Sequence, residues 1–294
     1  MSGATSSTLI DLLQALTNGV FLGAVFALAA VGLSLVFGVT NMVNFAHGDF
    51  IMVAMYVGFM CWSLAGLDPL LAIPVAAVTL ALVAVLIYGG IIRPVLGSTQ
   101  LAQMVVTFGL LTFLRGVVQF AFTADPRRVE DPIVGGIRIA VGGVAVTGAQ
   151  LVSAVGALVA TGALAWFVHR TETGRALQAV GEDPAGASLM GINSGRMYGL
   201  AWALAGVSTG VAGALLINNF GIDPLAGATF GIMSFIAVAL GGFGSVLGAA
   251  FAGLLLGVVQ GVVGLYLSGY TLTAALGIYL LVLVVRPQGL RGTR

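Results

Sequence analysis

The sequence predicts an all-α, polytopic integral membrane protein with about eight or nine transmembrane helices, some of them broken. Hydrophobic residues make up 59% of the chain and charged residues only 7%, whereas soluble domains carry roughly 25% charged residues. Apolar runs of about 20 residues, the length that spans a bilayer, recur along the whole chain. Short alternating strands, which are typical of an outer-membrane barrel, are not seen.

The apolar runs define the predicted spans of one multi-pass transmembrane domain over residues 1–294, embedded in the lipid bilayer of the inner (plasma) membrane. The first run is long for one span, and the run at 230–267 is long enough for two spans if it breaks near residues 241–248. The runs are 9–37, 49–67, 70–92, 101–122, 139–168, 198–217, 230–267 and 271–285.

A polar loop at about residues 169–197 interrupts the apolar chain. Asp183 suits the N-cap of a short helix, because its carboxylate can accept from the first free N–H groups. Pro184 suits the first helical position, and Gly191 suits the left-handed residue that ends a helix. We therefore expect a capped helix at residues 184–190, presented to a partner in water. The loop holds six charged residues: Arg170, Glu172, Arg175, Glu182, Asp183 and Arg196.

The distribution of arginine sets the predicted orientation, because positive residues are retained in the cytoplasm. With the polar loop inside, the N-terminus lies outside and the C-terminus inside. The N-terminus has no basic region before its apolar run, so we expect no cleaved signal peptide. Arginines then fall inside at Arg93, Arg170, Arg175, Arg196, Arg286, Arg291 and Arg294, and outside at Arg127, Arg128 and Arg138.

Composition excludes several kinds of chemistry. The 11 basic residues are all Arg, so the chain has neither a Gly-Lys-Ser/Thr phosphate loop nor a Schiff-base lysine. Cys61 is the single cysteine, and His47 and His169 lack nearby ligands, so neither a disulfide nor a metal site is expected. With a net charge of +1, nothing favours nucleic acid as a partner. We expect no cofactor and no enzymatic activity.

Glycine accounts for 44 of the 294 residues, and much of it recurs at four-residue spacing. This spacing puts small residues on one helix face, where two helix backbones can pack closely. We therefore expect close helix pairs at three places: Gly19 and Gly23; Gly206 and Gly210; and Gly253, Gly257 and Gly261.

Two polar segments are candidate breaks in the membrane helices. Residues 37–49 contain two Asn, a His and an Asp between apolar runs, and indicate either an ordinary cytoplasmic turn or a broken helix that lines a solute pathway. Residues 218–224, leading to the glycine-rich segment 241–245, form the second break. The elements at 48–53 and 230–234 share Gly, Phe, Ile and Met, so an inverted repeat is one interpretation.

Arg115 lies within the apolar run 101–122. Near a helix end, an arginine extends its side chain to the lipid headgroups, and we expect this of Arg115. The alternative is an ion pair in the protein interior.

Four motifs together resemble the LivH-type permease subunits of branched-chain amino-acid ABC importers, over essentially the whole chain. Two departures are that Ala185-Gly186 stand where a second acidic or polar residue is more common, and that Phe45 stands where the related urea permeases have Met. The motifs are Asn44-Phe45-Ala46-His47-Gly48-Asp49, Glu182-Asp183-Pro184-Ala185-Gly186-Ala187-Ser188-Leu189-Met190-Gly191-Ile192-Asn193, Ala239-Leu240-Gly241-Gly242-Phe243-Gly244-Ser245 and Arg286-Pro287-Gln288-Gly289-Leu290.

The resemblance implies a bacterial inner-membrane permease that works by alternating access and binds no ATP itself. Its implied partners are a second homologous permease subunit, two cytoplasmic ATP-binding subunits and an extracytoplasmic amino-acid-binding protein. The implied substrate-pathway residues are Asn44, Phe45, His47, Gly48 and Asp49. The implied ATPase-coupling residues are Glu182, Asp183, Pro184, Ala185, Ala187, Leu189, Met190, Gly191 and Ile192.

Two alternatives remain at this point. The same machinery would serve for urea, short amides or other amino acids. A self-sufficient secondary transporter or channel would need titratable groups deep in the membrane, and Asp49, His47 and Arg115 are the candidates.

Overall fold

The computed structural model of the chain describes residues 2–130, 132–286 and 289, and it is almost entirely helical. Helix α3 continues through a wider turn at Tyr88–Ile92 and a tighter turn at Arg93–Val95. The elements are α1 Ser2–Thr40, α2 His47–Ala65, α3 Pro69–Ile87, α4 Gln100–Phe122, β1 Arg138–Val141, β2 Val144–Thr147, α5 Gly148–Arg170, α6 Glu172–Glu182, α7 Pro184–Leu189, α8 Ser194–Leu216, α9 Ala226–Gly241, α10 Val246–Tyr266 and α11 Thr271–Val285.

The predicted count of eight or nine membrane helices is confirmed. Within the described residues, eight helices are long and apolar enough to cross a membrane, when α11 is taken together with the tight helical turn at Ser268–Tyr270 that precedes it, and α9 is a shorter apolar helix of 16 residues. The long run at 230–267 is divided between α9 and α10. Gly242 and Gly244 both have positive φ in the turn that separates them, a conformation that glycine adopts without steric cost.

The apolar run predicted to start at residue 139 is not helical throughout. Its first part forms an antiparallel hairpin, in which Val141 pairs with Val144. Gly142 and Gly143 both have positive φ, which is the requirement of the tightest hairpin turn. The helix, α5, begins at Gly148, after Thr147 accepts a hydrogen bond from the backbone of Gln150.

The described chain has two ends, which we name the hairpin end and the loop end. At the hairpin end, Gln14 of α1 donates to the carbonyl of Ala145 at 2.8 Å. At the loop end, the last turns of α1 lie against α6, where Gly38 contacts Gly181. Helix α1 begins at the hairpin end, and Gly289, which follows α11, lies against Gly242 at the loop end.

Glycine allows the two closest helix pairs. Helix α1 packs along α10, and a Cβ atom added at Gly257 would overlap the backbone of Gly23. Helix α8 packs along α3, where a Cβ atom at Gly210 would lie 2.6 Å from the carbonyl oxygen of Ala76. The predicted use of the spaced glycines in close packing is therefore confirmed at both pairs.

These two pairs are related by an exchange of partners. The first half of the chain begins with α1, α2 and α3, and the second half begins with α8, α9 and α10. Helix α1, the first of its half, packs against α10, the third of the other half, and α8 packs in the same way against α3. Helices α2 and α9 follow α1 and α8 in the two halves and contact each other at the centre. This reciprocal arrangement is what an inverted repeat produces.

We expect Gly257→Ala to lower the free energy of unfolding by about 1–3 kcal/mol, because the added methyl group overlaps a helix backbone that cannot rotate away. Unfolding of the purified protein in detergent measures this. The matched control is Gly277→Ala on α11, where a Cβ atom meets nothing within 4 Å and the better helix propensity of Ala stabilises slightly. Equal effects of the two substitutions would contradict the close α1–α10 packing.

Candidate functional site

The first polar segment is a break that re-enters the protein. Helix α1 ends at Thr40, and Asn41 turns the chain with a positive φ of 51°. The ring Nε2 of His47 then lies 2.8 Å from the carbonyl oxygen of Ala29. Ala29 precedes the end of α1 by about 11 residues, or roughly 16 Å along the helix axis. The chain therefore returns well inside the span before α2 begins, and the interpretation as an ordinary turn was wrong.

Most polar side chains of this break are enclosed within the subunit. Asn44, His47 and Asp49 are each about 1% exposed. The Asn44 side-chain oxygen accepts from the backbone N–H of Ala46 and so helps to start α2, whose N-cap residue offers no side chain for this purpose. Burial of the break within protein satisfies the requirement that non-helical backbone at membrane depth is kept away from lipid.

The first turns of α2 and α9 cross at glycine residues. A Cβ atom at Gly48 would overlap the carbonyl oxygen of Gly227 and approach the Cα atom of Gly231 at 2.5 Å. A Cβ atom at Gly227 would lie 2.7 Å from a carboxylate oxygen of Asp49. The N-terminal ends of two helices thus meet around Asp49, and both helix dipoles favour its negative charge.

Arg115 forms an ion pair inside the protein, so the expectation that it extends to the lipid headgroups was wrong. Its Nε donates to Asp49 Oδ1 at 2.6 Å and its Nη2 donates to Oδ2 at 3.3 Å. The Arg115 side chain is 25% exposed, whereas Asp49 is 1% exposed. The pair joins α4 to the crossing of α2 and α9, and it places a partly accessible guanidinium within the membrane span.

Phe45 is the residue of the predicted pathway set that reaches the surface. It is half-buried and stacks on Phe108 of α4 at 4.5 Å and on Phe235 of α9 at 5.2 Å between ring centres. We name these three rings the aromatic cluster. Phe108 lies two helical turns before Arg115 on the same face of α4, so the aromatic cluster lies on the loop-end side of the ion pair.

A small cavity lies behind the break. Asn44, His47 and Trp202 line it, and its volume is about 10 Å³, enough for about one water molecule. The Trp202 indole N–H is buried beside it without a hydrogen-bond partner among the described residues. The cavity is far too small for an amino acid, so Asn44 and His47 form no solute site inside the subunit in this conformation.

The predicted capped helix is confirmed in its local geometry. Asp183 Oδ1 accepts from the backbone N–H of Ala185 at 3.0 Å, Pro184 occupies the first helical position, and Gly191 has a φ of +83° after the helix end. Helix α7 ends at Leu189, one residue earlier than expected. A Cβ atom at residue 186 would meet the Asp183 carboxylate at 2.5 Å, so Gly186 leaves room for the capping group.

The end of α7 exposes apolar side chains. Leu189 is 89% exposed and Met190 is 83% exposed. Both lie in the most polar stretch of the chain, away from the apolar spans. Ala187 is buried and Ile192 is half-buried, so they fasten the segment to the protein, while Glu182, Asp183, Pro184, Ala185 and Gly191 are exposed. A contiguous apolar pair in water is typical of a protein-binding surface.

Helix α6 connects this segment to the first break. A Cβ atom at Gly181 would overlap the carbonyl oxygen of Gly38, and one at Gly38 would lie 3.0 Å from the Cα atom of Gly244. Backbone therefore touches backbone from α6 to the end of α1 and on to the turn between α9 and α10. An open cavity of about 910 Å³ lies beside these contacts, and its lining includes His169, Gln178 and Glu182.

Comparisons with known proteins agree with this architecture. The protein family described as "Branched-chain amino acid transport system / permease component" matches residues 15–286. The chain belongs to this permease family. The permease is 34% identical to the high-affinity branched-chain amino acid transport system permease protein LivH of Salmonella typhimurium, with 98% of this chain and 97% of the relative covered.

Two further relatives cover nearly the same length. BraD of Pseudomonas aeruginosa, also named as a high-affinity branched-chain amino acid transport system permease protein, is 31% identical over 95% of each chain. A probable branched-chain amino acid transport permease protein LivH of Methanocaldococcus jannaschii is 27% identical, over 94% of this chain and 91% of the relative. No solved structure matches. The permease is thus a multi-pass protein of the inner membrane.

The structure brings together part of the predicted site and adds residues that the sequence analysis did not assign. Asp49 contacts Arg115 of α4, and Phe45 contacts Phe108 of α4 and Phe235 of α9. The sequence signal for Arg115 was its position as a lone arginine in an apolar run. The terminal motif falls partly outside the described residues, since Pro287, Gln288 and Leu290 lie there, as do Arg291 and Arg294.

Removal of the Arg115 charge should destabilise the permease more than removal of the Asp49 charge. Arg115→Gln leaves the enclosed Asp49 charge unpaired and should cost on the order of 3–5 kcal/mol of stability. Asp49→Asn should cost less, because the guanidinium reaches the surface and can be solvated. Denaturant unfolding in detergent compares the two, and the double variant should regain part of the loss. If Asp49→Asn is the more damaging change, the enclosed carboxylate is not the dominant constraint.

Proposed function

We propose that the permease is the membrane-spanning subunit of an ABC importer that moves branched-chain amino acids into the cytoplasm by alternating access. The observation that carries this proposal is the similarity, over nearly the whole chain, to proteins named as branched-chain amino acid transport permeases. The domain over residues 1–294 contributes the gate, and residues 169–197 form the coupling loop. ATP is hydrolysed by separate subunits, so the permease is not itself an enzyme.

The exposed α7 helix supports contact with cytoplasmic ATP-binding subunits. Leu189 and Met190 offer an apolar pair that an ATPase surface would cover. Glu182 and Asp183 are exposed at the other end of α7, where their carboxylates would form ion pairs with an Arg or Lys of the partner. In this proposal, the loop end faces the cytoplasm and the hairpin end faces outward.

The glycine contacts connect the proposed ATPase contact at α7 to the helices inside the membrane. Movement of α7 displaces α6, and Gly181 of α6 presses directly on the backbone at Gly38. Since Gly38 precedes the break by only a few residues, rigid-body motion at the loop end reaches the crossing of α2 and α9. Two such subunits side by side, a permease and its homologue, would form the complete pathway between them, and a binding protein would deliver the cargo at the hairpin end.

Purification of the permease from its source membranes tests this assignment. Two ATP-binding subunits and a second permease subunit should accompany it. In liposomes with the binding protein outside, the complex should take up leucine, isoleucine or valine only when ATP is inside. Uptake of urea or a short amide in place of these amino acids would assign the same machinery to the alternative cargo. Ion-gradient-driven flux through the isolated chain would contradict an ABC importer.

The double substitution Leu189→Ser and Met190→Ser should detach the ATP-binding subunits, since it removes the apolar pair from the proposed contact. Co-purification and ATP-dependent uptake should both fall about tenfold or more, as expected for loss of two interface anchors. Leu267→Ser is the matched control, because Leu267 is 57% exposed at the hairpin end. Full co-purification of the double variant would place the ATPase contact elsewhere.

A further inference from the structure

The guanidinium of Arg115 has binding capacity left over after its contact with Asp49. A guanidinium carries five N–H donors, and two of them are used by the Asp49 carboxylate. The remaining donors have no hydrogen-bond partner among the described residues, and the side chain is 25% exposed. Asp49, at 1% exposed, therefore fixes the position of Arg115 from behind while the other edge of the guanidinium stays accessible.

The depth of Arg115 disfavours hydrocarbon as its neighbour. It lies about seven residues before the hairpin end of α4, or roughly 10 Å along the helix axis. A charged group at such a depth is rare unless it faces a water-filled cavity or the interior of a helix bundle. We therefore expect water or protein, and not lipid, beside the accessible edge of Arg115.

The chemistry of this edge selects a planar anion. The guanidinium fork matches a carboxylate with two parallel hydrogen bonds, a geometry that an ammonium group cannot copy. The dipoles at the starts of α2 and α9, together with Arg115, raise the local preference for negative charge. The negative charge of Asp49 balances the positive charge of Arg115, and the free edge keeps hydrogen-bond donors that a second carboxylate would use.

The aromatic cluster supplies the complementary apolar surface. Phe108 precedes Arg115 by about two turns on the same face of α4, or roughly 10 Å. Phe45 lies in the break, shortly before Asp49 in the chain. The rings are partly exposed and offer an apolar surface at this position. One face of the permease therefore presents the free edge of Arg115 and then the aromatic cluster, in order from the hairpin end to the loop end.

We propose that Arg115 binds the α-carboxylate of the transported amino acid, that Asp49 is its positioning residue, and that Phe45, Phe108 and Phe235 contact the apolar side chain. This assignment rests on the proposed function. It defines the cargo class as α-amino acids with an intact carboxylate and an apolar side chain. The feature that distinguishes this from a structural ion pair is selectivity for the carboxylate.

The first test is transport by the complete reconstituted complex. Relative to the wild-type complex, Arg115→Lys should reduce leucine uptake about tenfold or more, because Lys keeps the charge and loses the fork. The double variant Asp49→Asn with Arg115→Gln leaves no unpaired buried charge, should still co-purify with its partner subunits, and should lose uptake to the same extent or further. Arg93→Gln, at an exposed position after α3, is the control and should transport leucine normally.

The second test measures binding directly. A cysteine replaces Thr112, which is exposed between Phe108 and Arg115 on α4, in a chain in which Cys61 is Ser. Leucine should protect this cysteine in the complex from a small thiol reagent, and leucinol, which lacks the carboxylate, should not. A cysteine at Thr273 on the exposed face of α11 is the control and should react equally with and without leucine.

The outcomes separate the two levels of the proposal. A wild-type complex that does not transport leucine contradicts the proposed function. If leucine is transported, three results would overturn the Arg115 assignment. Leucinol protects the cysteine at position 112 as well as leucine does, leucine does not protect it, or leucine still protects it in the double variant. The leucinol comparison uses the native ion pair, so it remains decisive even if the double variant fails to fold.

Discussion

The close crossing of two helix starts inside the membrane is the constraint on which the rest of the structure depends. Non-helical backbone cannot face lipid, because its N–H and C=O groups would lack partners there. The permease meets this requirement by enclosing the polar side chains of the first break in protein, with Gly48 against Gly227 and Gly231 at the start of α9. A Cβ atom at Gly48 or Gly227 would overlap the opposing helix. Long helices must then enclose it, and the glycine-lined pairs α1–α10 and α3–α8 do so from opposite sides.

The same crossing creates the electrostatic environment of the site. Two helix N-termini converge there, so a carboxylate is stabilised and Asp49 occupies the position. Desolvation of Asp49 is offset further by Arg115, which approaches from a helix at the edge of the bundle. Structural and functional demands therefore meet at one place. The charge pair that satisfies the buried break also leaves a guanidinium edge at the surface, where we propose that the solute passes.

Mechanical linkage follows from the same small residues. Gly181, Gly38 and Gly244 bring the backbones of α6, α1 and the α9–α10 turn into direct contact. Backbone contacts transmit displacement with little loss, because no flexible side chain lies between them. The polar loop end is thereby joined to the apolar interior along a short path. In the coupling that we propose, displacement of the small, exposed helix α7 reaches the buried helices of the bundle along this path.

The sequence by itself determined the features that depend on composition and local chemistry. The apolar runs gave the membrane helices, Asp183 and Gly191 gave the bounds of α7 to within one residue, and the motifs indicated the family. Tertiary structure alone decided which residues meet. The Asp49–Arg115 contact joins residues far apart in the chain, and the re-entrant path after Asn41 depends on the packing of α2 against α9. Neither follows from periodicity, because a polar group in an apolar run is consistent with a headgroup contact, a turn or an interior partner until its neighbours are known.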